Sequence, residues 1–176
     1  MTRRGWLICE ALRNSGIEYI AWVPDSETHF IHDAMLGDSS LRVIQVCSEG
    51  EGIALCVGLH MGGKRGVALM ENQGAFDSGN ILRWAAGYRF PLVLLIGYLG
   101  YRLIEETPAG KMRKGQREIT EPFLKALDIP YELVNSDHEV DRISEAISRA
   151  ERESRPVAVL LASADDFVPG GRGTDG

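Results

Sequence analysis

The chain has 176 residues, of which 44% are hydrophobic, a length and composition that suit one domain with a sizeable core. Its net charge of -6 at pH 7 argues against nucleic-acid binding, which needs a basic patch that outweighs the carboxylates. No apolar run approaches the roughly 20 residues that span a bilayer, and no signal-peptide core follows the N-terminus, so we expect a cytoplasmic protein.

Helix and strand patterns alternate through the first half of the chain. The spacing of apolar residues predicts helices over residues 6–14, 27–36 and 49–61, and strands over residues 17–23 and 41–46. Ser26 is placed to cap the second helix. The helix over residues 49–61 carries a long apolar stripe, which is typical of a buried helix.

The second half continues the alternation. Strands are predicted over residues 66–70, 91–96, 131–134 and 156–161, and helices over residues 77–88, 119–127 and 138–153. Residues 97–116 show no clear period, so we expect an irregular segment that could serve as a lid. The glycine-rich residues 169–176 are expected to form a flexible C-terminal tail.

This order of elements predicts a doubly wound α/β domain over residues 1–168, with a mainly parallel sheet of about six strands and helices on both faces. Ligands of such folds bind beyond the carboxyl ends of the strands. Three segments follow predicted strands and are expected to be loops there: residues 24–26, 47–52 and 71–74.

Common nucleotide and metal motifs do not stand where such folds carry them. A phosphate-binding Gly-x-x-x-x-Gly-Lys-Ser/Thr loop is absent, and residues 23–26 replace a Gly-x-Gly-x-x-Gly turn after the first strand. The histidines form no zinc pattern, so we predict no metal ligands in this chain. The three cysteines are expected to be buried, reduced thiols: Cys9, Cys47 and Cys56.

Glu49 is the remaining candidate for a catalytic residue. It stands where an apolar helix begins after an apolar strand, a setting in which a carboxyl group can be poised for proton exchange. The alternative is a helix N-terminal glutamate that the helix macrodipole favours. Spacing alone leaves both interpretations open.

A family resemblance bears on that choice. Residues 48–64, which read SEGEGIALCVGLHMGGK, resemble the glutamate segment of the pyrimidine-binding domain of thiamine-diphosphate (ThDP) enzymes. In that family a strand-ending glutamate is followed nine residues later by a helix glycine, here Gly58. This spacing selects Glu49 over Glu51, which we interpret as a first-turn or interface residue.

More narrowly, three segments in the right order resemble the sulfopyruvate and phosphonopyruvate decarboxylases. They are residues 23–26 (VPDS), residues 48–64 and residues 70–74 (MENQG), and the resemblance covers residues 6–161. It implies an alpha-type subunit of a ThDP enzyme that decarboxylates a small 2-oxo acid. A carboligase subunit and a non-catalytic, partner-binding relative are the alternatives.

The resemblance also implies a partner chain. These enzymes hold the cofactor's diphosphate and Mg²⁺ through a Gly-Asp-Gly motif followed by a distant Asn, and the only similar string here is residues 173–176 (GTDG). We therefore expect a separate diphosphate-binding, beta-type subunit to hold Mg²⁺, in a heterotetramer or larger assembly.

By the same resemblance, Glu49 would bind N1' of the cofactor's pyrimidine ring and favour the tautomer that activates the cofactor. Asn72, Gln73 and Gly74 would line the pyrimidine or substrate pocket, with a plain turn as the alternative.

Other residues are implied at the substrate end. Asp25 and Ser26 would lie near the substrate, or else only turn the chain and cap a helix. The cations of the segment 97–116 could attract an anionic substrate, or form a solvated charged loop: Arg102, Lys111, Arg113 and Lys114. Phe76 and Asp77 depart from the Asn-Ser-Gly-Leu-Gly-Asn of the related enzymes, where small or neutral residues stand.

Overall fold

A computed structural model of the chain describes residues 2–101 and 108–162, with only the backbone described for residues 108–113. The predicted tail over residues 169–176 lies outside the described residues. In the part that is described, no helix is both long and apolar enough to cross a membrane.

Helices and strands alternate as the sequence predicts. The helices are α1 (Arg3–Asn14), α2 (His29–Leu36), α3 (Glu49–Met61), α4 (Asn72–Asp77), α5 (Gly79–Gly87), α6 (Pro108–Ala126) and α7 (Asp141–Glu153). The strands are β1 (Tyr19–Trp22), β2 (Arg42–Gln45), β3 (Gly66–Glu71), β4 (Val93–Gly97), β5 (Tyr131–Val134) and β6 (Val157–Leu161). A short 3₁₀ turn, Asp137–Glu139, precedes α7.

The strands form one parallel sheet of six, in the order β2-β1-β3-β4-β6-β5. The predicted doubly wound α/β fold is confirmed. The chain leaves β1 toward β2 on one side and leaves β3 toward β4 on the other. The carboxyl ends of β1 and β3 therefore flank the switch point where such sheets bind ligands.

Helices cover both faces of the sheet. On one face α1, α2 and α7 pack against Val93 and Leu95 of β4, and on the other α3 to α6 pack against Leu94 and Ile96. All residues of β4 and β6 are buried. This double burial explains why both strands are continuous apolar runs instead of alternating ones.

Two predicted boundaries are wrong in the second half of the chain. The segment 97–116 was expected to be irregular, but α6 begins within it, at Pro108. Proline is favoured in the first turn of a helix, and the Lys, Arg, Gln and Glu residues that follow are good helix formers. Residues 102–107 lie outside the described residues. The helix predicted over residues 77–88 is α5, and a separate short helix, α4, precedes it and begins directly after β3. Residues 72–74 are therefore helical and do not form a loop.

Two further expectations in the first half are corrected. Ser26 does not cap α2, because the helix begins at His29 with Thr28 in the N-cap position. Cys47 is exposed, whereas Cys9 and Cys56 are buried as predicted. Cys47 lies beyond the end of β2, where the backbone leaves the sheet and its thiol meets solvent.

Arg4 ties α1 to the carboxyl ends of the neighbouring strands β5 and β6. Its side chain is 10% exposed, and Nε donates to Oδ1 of Asp137 at 3.1 Å. Nη1 donates to the Ala162 carbonyl at 2.8 Å, and Nη2 to the Asn135 carbonyl at 3.3 Å. The guanidinium thus fastens the start of α1 to the segments that follow β5 and β6.

We expect Arg4→Met to lower the free energy of unfolding by about 2–3 kcal/mol, because the buried acceptors lose a charged donor while the apolar stem stays. Urea denaturation measures this loss. Arg3→Met is the matched control: Arg3 is 80% exposed and 3.7 Å from Asp137, so its loss should stay below about 0.5 kcal/mol. Equal losses in the two variants would contradict the buried role of Arg4.

Candidate functional site

The first turn of α3 lies on the carboxyl end of β1. Gly52 faces this strand, since a Cβ there would be in van der Waals contact with Cγ2 of Val46 at 3.4 Å and with Cβ of Ala21 at 3.6 Å. Helix α3 also packs along β3. The turn therefore places Glu49 beside the switch point between β1 and β3.

Glu51 is engaged in capping this helix. Ser48 is the N-cap, and its Oγ accepts from the Glu51 N–H at 3.2 Å. In return Oε2 of Glu51 accepts from the Cys47 N–H at 2.7 Å. This reciprocal pair is a close variant of the capping box. Its carboxylate accordingly has a structural partner, and the prediction that Glu51 is a first-turn residue is confirmed.

Glu49 differs from Glu51 in what its side chain contacts. It is half-buried, and it lies against the Cα of Gly74, where a Cβ would overlap Cγ, Cδ and Oε1 of Glu49. Within the described part of the chain, its carboxylate makes no hydrogen bond or ion pair. Glu49 therefore presents a carboxylate at the switch point that is available to a ligand.

Asn72 forms a buried polar junction behind Gly74. Its Nδ2 donates to the Leu99 carbonyl at 3.2 Å and to Oγ1 of Thr120 at 2.8 Å. Thr120 in turn donates to the Gln116 carbonyl at 2.7 Å. Asn72 is fully buried, so it holds the first turn of α4 against β4 and α6.

The three residues predicted to line the pocket thus point to different places. Asn72 faces the interior, Gln73 is exposed, and Gly74 is buried beneath Glu49. Sequence analysis did not single out Thr120 and Gln116 of the junction. No sequence signal could have found them, since Asn72 and Thr120 are 48 residues apart.

Asp25 turns the chain after β1. Its Oδ1 accepts from the Thr28 N–H and its Oδ2 from Thr28 Oγ1, both at 2.7 Å. The turn rests on Gly97 at the end of β4, where a Cβ would lie 2.9 Å from Thr28 Cγ2. These contacts give Asp25 a structural role in the turn, while Ser26 is exposed beside it.

Three known proteins are similar to this chain over most of its length. No protein-family model matches the chain. The sulfopyruvate decarboxylase subunit alpha of Methanococcus maripaludis is 27% identical over 156 residues, which cover 88% of this chain and 91% of that protein. The protein of the same name from Methanothermobacter thermautotrophicus is 27% identical over 155 residues, 85% of this chain and 90% of that protein. That from Methanocaldococcus jannaschii is 29% identical over 156 residues, 88% and 90%.

This chain is similar to sulfopyruvate decarboxylase alpha subunits. The resemblance drawn from three short segments is thereby confirmed over most of the chain. The alignments run over nearly the whole length of each relative.

Phe76 and Asp77, the departures from the decarboxylase pattern, lie in different surroundings. The Phe76 ring packs edge to face against Phe123 of α6, with 5.3 Å between ring centroids, and Asp77 is exposed. Phe76 therefore strengthens the contact between α4 and α6.

The cations predicted to attract substrate can be placed only in part. Arg102 and the side chains of Lys111 and Arg113 lie outside the described residues. Lys114 is exposed on α6, and its Nζ lies 3.8 Å from Oε1 of Glu118. Lys114 thus sits among charged neighbours on the helix surface.

His32 lies beside the Asp25 turn. Its ring stacks edge-on against Trp22, with centroids 4.7 Å apart, and Nε2 lies 3.4 Å from Oγ1 of Thr28. Burial lowers the pKa of His32, although the nearby charge of Asp25 opposes this shift. The folded protein therefore favours the neutral imidazole.

This shift predicts a pH dependence of stability. Below about pH 6.5 the unfolded chain binds a proton at His32 that the folded chain resists, so the stabilisation is present above that pH and is lost as pH falls. The free energy of unfolding should decline less steeply between about pH 7 and 5.5 in His32→Gln than in the wild type. Urea titrations at several pH values measure this slope.

His138→Gln, at an exposed site, should keep the wild-type slope. A slope that is unchanged in His32→Gln would refute the role assigned to His32.

Proposed function

We propose that this chain is the alpha-type subunit of a ThDP-dependent enzyme that decarboxylates a small 2-oxo acid, and that Glu49 activates the cofactor. The observation that carries the proposal is the Glu49 carboxylate: half-buried at the switch point and seated on Gly74, with no hydrogen-bond or ion-pair partner among the described residues. The relatives named sulfopyruvate decarboxylase subunit alpha support the reaction class.

The residues present fit one half of such a cofactor. A carboxylate at the carboxyl edge of the sheet suits a ring nitrogen that must be hydrogen-bonded and protonated. Glu51 does not suit it, because its carboxylate already accepts from the Cys47 N–H. Glu49 would thus hold the aminopyrimidine ring.

Glu49 would act through a proton held between its carboxylate and N1' of the pyrimidine ring. When bound, ThDP supplies a nucleophilic carbon and an electron sink for decarboxylation of a 2-oxo acid. The half-buried position of Glu49 limits competition from water for this hydrogen bond. Gly74 and the surrounding helices keep the carboxylate at the edge where the cofactor would enter.

The other half of the site would come from a partner. The sequence carries no internal Gly-Asp-Gly motif for diphosphate and Mg²⁺. The relatives are named as alpha subunits, which supports a multi-subunit enzyme. We therefore assign diphosphate and Mg²⁺ to a separate beta-type subunit, with two or more copies of each chain in a cytoplasmic assembly.

Sulfopyruvate is the first substrate to test, since it is the one in the relatives' names. The complex of this chain with its beta-type partner, ThDP and Mg²⁺ should release CO₂ from sulfopyruvate, or from another small 2-oxo acid with an anionic C3 substituent. Coupled assays of CO₂ release over a panel of 2-oxo acids, with and without an acceptor aldehyde, identify the reaction. Absence of turnover with every acid would favour the non-catalytic alternative.

Glu49→Gln should lower turnover of the complex by about 10²- to 10⁴-fold, because the amide keeps the side chain's shape but cannot supply the carboxylate. The loss should appear mainly in kcat if the substrate site is untouched. Steady-state kinetics and exchange of the ThDP C2 proton, followed by NMR, measure the effect.

Glu51→Gln is the matched control in the same helical turn. Its side-chain carbonyl can still accept from the Cys47 N–H, so turnover should change only a few-fold. Co-purification with the partner shows whether either variant disturbs assembly. Wild-type turnover and C2 exchange in the Glu49→Gln complex would show that Glu49 is not the activating residue.

A further inference from the structure

Gly74 has no backbone reason to be glycine. It lies in the first turn of α4, where glycine is a poorer helix former than alanine. The glycines with positive φ are Gly16, Gly63 and Gly100 in the part of the chain that is described, so Gly74 is not among them. Its conformation is therefore open to any residue, and the reason for glycine has to be space.

The space above Gly74 is filled by Glu49. A Cβ on residue 74 would overlap three consecutive atoms of that side chain, Cγ, Cδ and Oε1. An alanine there would force the carboxylate to move, because the backbone of α4 cannot easily retreat. Asn72 holds this backbone through its hydrogen bonds to the Leu99 carbonyl and to Thr120.

We propose that Gly74, fixed in place by Asn72, is the seat that positions the Glu49 carboxylate, and that both act as positioning residues instead of as cofactor ligands. This inference rests on the proposed function for its consequence in catalysis, but the seat itself is a property of this chain. It gives Asn72 and Gly74 a role that differs from lining the pocket. Asn72 is fully buried, which agrees with action through its neighbours.

The seat matters because proton transfer depends on the position of the two heavy atoms that share the proton. A carboxylate displaced by a methyl group would still bind in the same region, but with poorer alignment to a ring nitrogen. Misplacement by about 1 Å can cost about 100-fold in rate. The substrate contacts need not change, so the loss of rate should appear in kcat and not in KM.

The first test uses thermal unfolding of the full chain in a double-mutant cycle. Gly74→Ala should give a less favourable change in Tm in the wild-type background than in a Glu49→Ala background, because the added methyl group must displace the Glu49 side chain. In a Glu49→Ala background the same change should leave Tm unchanged or raise it, since the space is empty and alanine favours the helix.

Gly87→Ala is the control: a Cβ at this exposed end of α5 meets no atom within 4 Å, so Tm should not fall in either background. An equal change in Tm from Gly74→Ala in both backgrounds would overturn the proposal.

The second test uses the complex with the partner subunit, ThDP and Mg²⁺. Gly74→Ala should lower kcat and the rate of C2-proton exchange by about 10- to 100-fold, with KM within a few-fold of the wild type. Gly87→Ala should leave both unchanged. Wild-type kcat and exchange in Gly74→Ala would overturn the role in positioning.

The two proposals fail in different ways. If Glu49→Gln retains full turnover, the role of Glu49 in activating the cofactor is wrong, whatever the unfolding cycle shows. If the cycle shows no coupling between residues 49 and 74, the seat is wrong, whatever Glu49→Gln does. Only the unfolding cycle is independent of the cofactor, so it separates the packing from the chemistry.

Discussion

Helices cover both faces of the six-stranded parallel sheet, and the central strands β4 and β6 are completely buried as a result. Parallel strands must be joined by crossovers, and the segments that leave the strands all collect at the carboxyl edge. The Asp25 turn, the start of α3 and the start of α4 are brought together for that reason. The site follows from how the sheet is covered and from where its strand order reverses.

Two glutamates in one helical turn have different environments. Glu51 reaches back to the backbone N–H of Cys47 and closes the end of α3. Glu49 lies against Gly74 instead, with its carboxylate unpaired among the described residues. The carboxylate of Glu51 thus stabilises the fold, whereas that of Glu49 is free for a ligand. Only one residue separates the two glutamates in the chain.

The backbone of α4 against which Glu49 lies is held by the buried polar junction around Asn72. Asn72 makes its hydrogen bonds to the Leu99 carbonyl and to α6 in the interior, where an unpaired amide donor would be costly. The Phe76 contact with Phe123 adds an apolar tie between α4 and α6. The similarity to sulfopyruvate decarboxylase alpha subunits covers most of the chain, so the support around Glu49 belongs to the shared length and not to an added segment.

The sequence by itself determined the kind and order of the elements other than α4, the parallel sheet, and the bounds of α3 and β5, because these follow from the local period of apolar residues. It also led to Glu49, through a resemblance carried by a short segment. Only the tertiary structure decided that Gly74 lies under Glu49 and that Asn72 reaches Thr120, since such contacts join residues far apart in the chain. The early start of α6 and the exposure of Cys47 were likewise missed, and the choice between the two roles left open for Asp25 needed the contacts with Thr28. Each depends on which neighbours surround a residue after folding, and a local pattern of apolar and polar residues does not contain that information.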